Sequence, residues 1–170
     1  MKLRSNVMRI SLFLLVGLAI AMPSVCHAQV KCPWINEATA RGILGGDVTL
    51  TAKVNDRSEG ICEFSRQQGA AVRQLVVSVN IMTDISKQFR TYLAQCPPKS
   101  DPVRAIGNEA VTCTSQGKGH SSAEIVVGRV RDQAFVVSLS SRVGDDPSMT
   151  QEMRRQKVNL VAEQIAGILF

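Results

Sequence analysis

Histidine is the side chain most often used for acid–base chemistry at neutral pH, and this chain offers little of it. The sequence has two histidines, His27 and His120. His120 stands in a segment that predicts a hairpin tip. Neighbouring residues of a strand point to opposite faces, so His120 and Ser121 do not form a ready nucleophile–base pair. We interpret His120 as an exposed turn residue, since a Ser–His–Asp triad would need the fold to bring in an acid such as Asp132.

Phosphate-loop and metal-site patterns are also weak. A phosphate loop needs serine or threonine directly after its lysine and then a helix, but Gly119 follows Lys118 and the next predicted element is a strand. Asp145 and Asp146 form an adjacent acidic pair before a predicted helix, where helix-dipole stabilisation explains them better than calcium does. We expect no cofactor and no metal. A pair of carboxylates for glycoside hydrolysis stays open, because such pairs meet only in the fold; the dispersed glutamates are Glu59, Glu63, Glu109 and Glu124.

Four cysteines give the strongest chemical signal: Cys32, Cys62, Cys96 and Cys113. They show no Cys-x-x-Cys spacing, which argues against a zinc site or a thioredoxin-like redox pair. In an oxidising compartment an even number of cysteines favours two disulfides, with three pairings open. We predict Cys32–Cys62 and Cys96–Cys113, because each pair joins neighbouring elements of the chain.

Residues 1–28 predict a signal peptide that places these cysteines in an oxidising compartment. A basic start is followed by an apolar run over residues 10–22, and Cys26-His27-Ala28 offers small residues before a cleavage site. The run is too short for a membrane span of roughly 20 residues. Lipid attachment at Cys26 fits poorly because Val25 precedes it. We therefore expect an exported protein, periplasmic or extracellular, with no membrane span after cleavage.

Composition limits the remaining classes of function. Residues 29–170 have the length of one domain with a single core. The net charge of +6 includes three basic residues of the leader, and the other basic residues are mixed with acids. We expect no nucleic-acid partner, since that requires a clustered basic face. The interpretation of Arg129, Arg131 and the Arg154-Arg155 pair is that they lie on solvated surfaces.

Periodicity and capping predict an α+β domain in the order α-βββ-α-βββ-α. Helices are expected over residues 36–44 (N-cap Asn36, ended by Gly45-Gly46), from an N-cap at Thr83 or Asp84 to about 96, and from a capping box at Ser148 and Gln151 to near 170. Alternation predicts strands over 48–54, 61–65, 72–82, 111–114, 124–130 and 134–140.

These elements are expected to pack as one antiparallel sheet of about six strands, with helices mainly on one face. The last helix presents an apolar face formed by Met153, Val158, Val161, Ile165 and Ile168. Trp34 is the sole tryptophan, and a core position beside the first disulfide explains it better than a ligand platform does.

Several short motifs resemble those of known exported domains. They are Cys32 before a helix that ends in Leu44-Gly45, the strand motif Cys62-Glu63-Phe64, the segment Ile106-Gly107-Asn108-Glu109-Ala110 before a strand, and a C-terminal amphipathic helix. The pattern is similar to small α+β domains of unknown function in bacterial cell-envelope lipoproteins and, more distantly, to extracellular sensor domains of receptor serine/threonine kinases. The sequence departs from both in its poor lipid-attachment pattern and in having no kinase segment.

This resemblance implies a domain that binds a ligand or partner in the cell envelope, and it assigns no catalytic residue. We therefore expect an exported, non-enzymatic binding or sensor-like domain. The alternative is a protein-interaction or inhibitory module that acts on another envelope protein through the loops at 97–102 or 142–146. A third possibility is an envelope hydrolase built around His120.

Overall fold

A computed structural model of the chain describes residues 31–98, 100–116, 121–142 and 148–170. Within these ranges the chain forms three helices and seven strands. The helices are α1 (Glu37–Leu44), α2 (Ile85–Leu93) and α3 (Gln151–Leu169). The strands are β1 (Thr49–Val54), β2 (Gly60–Gln68), β3 (Ala71–Ile81), β4 (Asp101–Pro102), β5 (Glu109–Gln116), β6 (Ser122–Val130) and β7 (Gln133–Ser141).

The strands form one antiparallel sheet in the order β1-β2-β3-β7-β6-β5-β4. This confirms the α+β class and the antiparallel sheet, but the predicted count of six strands is wrong. The additional strand is β4, which pairs Asp101 with Thr112 and Pro102 with Val111. Two residues are too few to show alternation, so the sequence predicted only a loop there.

Two helices, α1 and α3, cover one face of the sheet and enclose the larger core. The remaining helix, α2, covers part of the opposite face, over β6 and β7, and encloses a second apolar cluster around Phe89. The prediction that helices lie mainly on one face therefore agrees with the structure. On the opposite face, the described residues place no helix over β1 and β2, and β1 exposes Thr49, Thr51 and Lys53 there.

Both predicted disulfides are present. Cys32–Cys62 ties the segment before α1 to β2, and Cys96–Cys113 ties the chain after α2 to β5. Trp34 follows Cys32 by two residues, is 1 % exposed and belongs to the larger core. The structure thus places Trp34 in the core beside the disulfide, as the sequence predicted.

The start of α3 differs from the predicted capping box. Its N-cap is Thr150, whose hydroxyl accepts a hydrogen bond from the Met153 backbone N–H at 3.3 Å. The Ser148 hydroxyl instead accepts from the Arg73 guanidinium, and Gln151 donates to Thr114 of β5 at 3.1 Å. Both residues of the predicted capping box therefore form hydrogen bonds with other elements instead of capping α3.

The buried stripe of α3 is also rotated from the predicted one. Arg154 was expected on a solvated surface, yet it is 4 % exposed, whereas Met153 and Ile168 are exposed. Arg154 donates to the Met149 carbonyl at 2.7 Å and to the Ser122 hydroxyl at 2.8 Å, which compensates part of its burial, while its buried Nε has no hydrogen-bond partner among the described residues. The stripe that contacts the sheet continues from Arg154 through Val158, Val161, Ala162 and Ile165.

Some predicted features lie outside the described residues: the leader at residues 1–28, His120 and the Asp145-Asp146 pair. No helix in the described ranges is both long enough and apolar enough to cross a membrane.

Candidate binding groove at the edge of the sheet

A groove of about 420 Å³ lies where the start of the described chain passes the first strand of the sheet. This volume falls in the range of small-ligand pockets. It is lined by Cys32 of the first disulfide, by apolar Ile35, Ala38 and Leu50, and by polar Lys31, Asn36 and Glu37. The groove therefore combines an apolar floor with polar groups at its rim.

The first turn of α1 forms one wall of the groove. The Asn36 carboxamide oxygen accepts from the Thr39 backbone N–H at 2.8 Å, so the predicted N-cap is confirmed. This cap fixes the direction in which the helix leaves the disulfide. The opposite wall is Leu50 of β1, whose partner across the sheet is the buried Phe64.

Three cations hold the other end of α1. Arg66 and Arg73 donate to the Leu44 carbonyl at 2.9 and 3.0 Å, and Lys157 of α3 donates to the Ile43 carbonyl at 2.6 Å. Cations at a helix C-terminus stabilise the free carbonyls and the dipole. Burial lowers the pKa of Lys157, and the positive charge of Arg73 lowers it further. The groove wall is thus anchored to β2, β3 and α3.

Gly45 and Gly46 allow this anchoring. Gly45 is the C-cap in the left-handed conformation, which confirms the predicted helix stop. A Cβ on Gly46 would lie 2.8 Å from the Cζ atom of Arg66. The glycine pair therefore also lets the guanidinium lie against the backbone, a role the sequence did not reveal.

No strand of the described ranges pairs with the outer edge of β1. The Asn55 N–H donates to the Glu59 carbonyl at 2.9 Å, in register with the β1–β2 ladder. Hydrogen-bonded pairs alternate along an antiparallel ladder, so the backbone groups of Thr49, Thr51 and Lys53 face β2. The N–H and C=O groups of Leu50, Ala52 and Val54 consequently face away from the sheet, at the edge beside the groove.

The turn from β1 to β2 is held by the side chains of Asn55 and Glu59, and the Asn55 carboxamide oxygen accepts from the backbone N–H groups of Arg57 and Glu59 at 3.0 and 2.9 Å. Glu59 accepts from the Asn55 side-chain amide and from the Ile81 backbone N–H, both at 3.0 Å. Hydrogen bonds from these two donors lower the pKa of Glu59. Tyr92 of α2 lies close enough to respond to this charge: burial raises the pKa of Tyr92, and Glu59 raises it further.

We expect Glu59→Gln to reduce stability near neutral pH and to reduce it much less in acid. The pKa of Glu59 lies below its ordinary value of 4.5 in the folded chain. The carboxylate therefore contributes stability that is present above the unfolded pKa and is lost as the pH falls through the folded pKa. Urea denaturation at about pH 7 and about pH 3 measures this, with exposed Glu163→Gln as the control. Equal losses at both pH values would contradict the prediction.

Charge at the groove and the edge is positive on balance. Glu37 at the rim is paired with Arg41, at 3.6 Å between Nη2 and Oε2. Lys31 and Lys53 are exposed, and neither forms an ion pair within the part of the chain that the structure describes. A negatively charged occupant of the groove would therefore meet the ammonium group of Lys31, and one that extends along β1 would also meet Lys53 on the other face of the strand.

Three other concavities are smaller. One of about 340 Å³ lies between the end of α2 and Val111, and one of about 210 Å³ lies under Phe89, where Arg129 sits 5.8 Å from the ring centroid and pairs with Glu109. The third, of about 180 Å³, lies among serines and Gln74, on the face of the sheet opposite the groove. The groove beside β1 is the largest of the four, and it borders the edge strand β1, whose outer side pairs with no strand in the described ranges.

The predicted site residues are only partly brought together. The four cysteines pair as expected. The dispersed glutamates instead bind different partners: the buried Glu124 accepts a hydrogen bond from Thr114, and Glu109 accepts one from Arg129. Among the described residues, no group of three or more histidine, cysteine or acidic side chains could hold a metal ion. Neither Ile35 nor Leu50 was predicted as a binding residue. Their signals, an apolar residue before an N-cap and alternation in a strand, are the usual signals of a core.

Comparison of the sequence with protein-family models and with the curated proteins found no match.

Proposed function

We propose that this chain is an exported, non-enzymatic binding domain of the cell envelope, and that its ligand occupies the groove between α1 and β1. The observation that supports the proposal most is the groove itself: about 420 Å³, with apolar Ile35 and Leu50 inside and polar Lys31 and Asn36 at the rim. This is the combination expected of a ligand pocket, in which apolar area provides affinity and a few polar groups provide orientation.

The surroundings of the groove favour binding without large rearrangement. The disulfide Cys32–Cys62 joins one wall to the sheet, and the carbonyls at the end of α1 are held by Arg66 and Lys157. A preorganised site loses less conformational entropy when the ligand binds. The absence of enzymatic activity is proposed from the sequence, where the chain after the leader has a single histidine and no catalytic pattern.

The test is an NMR titration of the isotope-labelled exported chain with three probes: decanoate, a disaccharide of N-acetylglucosamine and a mixture of acetylated heptapeptides. We expect at least one probe to shift the backbone amides of Ile35, Glu37 and Leu50. Ala38→Trp, which fills the groove, should weaken that binding by about tenfold or more. The control Gln164→Trp places the same side chain on an exposed position of α3 and should bind as the unmodified chain does.

Two results would overturn the proposal. One is that no probe shifts the groove amides at millimolar concentration. The other is that Ala38→Trp, folded by the criterion of its amide spectrum, binds the probe as tightly as the control does.

A second candidate function is a protein-interaction or inhibitory module that acts on another envelope protein. It is favoured by apolar side chains left on the outer surface of α3, where Leu160 is 60 % exposed, Ile168 51 % and the following Phe170 61 %. A photo-crosslinking residue at Leu160, compared with one at exposed Lys87 of α2 on the other face of the sheet, tests it in the producing cell. A single crosslinked protein at Leu160 alone supports this function, and equal labelling at both positions contradicts it.

A further inference from the structure

We infer that the occupant of the groove is an extended peptide segment of a partner protein, which adds to the sheet as a strand beside β1. This inference rests on the proposed function and specifies its ligand. Strand addition is a recurring mode of peptide recognition, in which main-chain hydrogen bonds give affinity and pockets for alternate side chains give specificity.

The backbone of β1 provides the first argument. Leu50, Ala52 and Val54 direct their N–H and C=O groups outward, as the alternation from the Asn55–Glu59 pair requires. The residues of β1 include no proline, so each of these positions keeps its donor. A row of alternating donors and acceptors is complementary to another extended backbone.

The opposite edge of the sheet provides a contrast. There the outermost strand of the described chain is β4, with only two residues. The Val103 N–H donates to the Ala110 carbonyl at 2.9 Å, so the neighbouring Pro102 faces outward. Proline has no N–H to donate, and short or proline-bearing edges are the usual protection against strand addition. Among the strands that the structure describes, one edge is thus protected and the other is open.

The position of the groove provides the second argument. An added strand would lie about 4.8 Å beyond β1, with its side chains alternating between the two faces. Leu50, Ala52 and Val54 lie on the face that carries α1, and the groove is on that face beside Leu50. Every second side chain of the added strand would therefore lie on that face, and the one beside Leu50 would point toward the groove, where an apolar side chain contacts Ile35 and Leu50.

Charge selects the kind of segment. The side chains of the other face would lie beside Thr49, Thr51 and Lys53, and Lys31 stands at the groove rim. Both ammonium groups are exposed and unpaired within the described ranges. The complementary segment alternates apolar with acidic or polar residues. A second copy of this chain fits less well, because it would bring its own Lys31 and Lys53 to the same edge.

The experiment uses the exported chain and a library of acetylated heptapeptides that alternate apolar with acidic or polar residues. The tightest binder is resynthesised with N-methyl groups on alternate amides, in two complementary sets. We expect one set, whose methyl groups face β1, to lose affinity by about tenfold or more, and the other set to retain it.

Two variants test the strand itself. Ala52→Pro removes one outward N–H, and we expect it to weaken the peptide by about tenfold, while Ala52→Val keeps the N–H and the binding. If Ala52→Pro fails to fold, the N-methyl comparison on the unmodified chain decides. Equal affinity of the two methylated sets overturns the inference.

The outcomes also separate this inference from the proposed function. Groove binding by decanoate or the disaccharide, with no peptide bound, supports the proposed function and overturns the inference that the ligand is a peptide. The absence of any groove ligand overturns both. A dimer in solution that Ala52→Pro converts to a monomer assigns the edge to a second copy and overturns the inference.

Discussion

Removal of the Cys32–Cys62 disulfide by Cys32→Ala with Cys62→Ala lowers the free energy of unfolding by about 4 kcal/mol, as the chain-entropy relation gives for a loop of this length. The two cysteines are 30 residues apart in sequence. Since Cys32 lines the groove and holds the segment before α1 on β2, the same change should weaken groove binding by about tenfold or more. Urea denaturation and the NMR titration measure the two effects.

The second disulfide supplies the matched control. Cys96→Ala with Cys113→Ala opens a loop whose ends are 17 residues apart, for which the same relation gives about 3 kcal/mol. This bridge lies at the opposite face of the sheet, in the cluster under α2. Groove binding should therefore survive its removal under conditions where the chain is folded. Equal loss of binding in both double variants would contradict the assignment of the groove to the first bridge.

Trp34→Ala lowers the free energy of unfolding by about 3–5 kcal/mol, the range for removing a large buried aromatic side chain. Trp34 is 1 % exposed and packs in the core formed by the sheet with α1 and α3. Trp34→Phe retains a ring of smaller volume and should cost less. Far-UV circular dichroism in urea gives both values without relying on tryptophan fluorescence.

Substitution of Trp34 also tests whether this residue belongs to the core or to the ligand-binding surface. Trp34→Phe should bind the groove probes as the unmodified chain does, because the indole is buried and Trp34 is not among the residues that line the groove. A variant with near-normal stability and lost binding would instead make Trp34 part of the binding surface.

Local signals explain which parts of the fold could be predicted. The alternation of Leu75, Val77 and Val79 marks a strand buried on one face, and Asn36 and Asp84 both accept backbone hydrogen bonds at the helix starts where capping placed them. The disulfides were predictable because each joins elements near in the chain. Each of these features depends on residues within a short stretch of sequence.

Long-range contacts explain the errors. Arg154 was assigned to the surface because it is charged, but Ser122 and the Met149 carbonyl provide partners for its guanidinium. Ser148 and Gln151 fit a capping box, yet Arg73 and Thr114 bind them. In each case a hydrogen-bond partner from another element outweighs the local preference, and the sequence does not say which elements will be neighbours.

The sequence by itself determined the α+β class and the antiparallel sheet and favoured two disulfides between neighbouring elements, since periodicity, capping and cysteine spacing act over a few residues or between adjacent elements. The tertiary structure alone decided that β3 lies beside β7, which leaves β1 at the edge, and that Ile35 and Leu50 meet across a groove. Strand order and the closeness of two walls depend on contacts between distant parts of the chain. For that reason the candidate site is visible only in the folded chain.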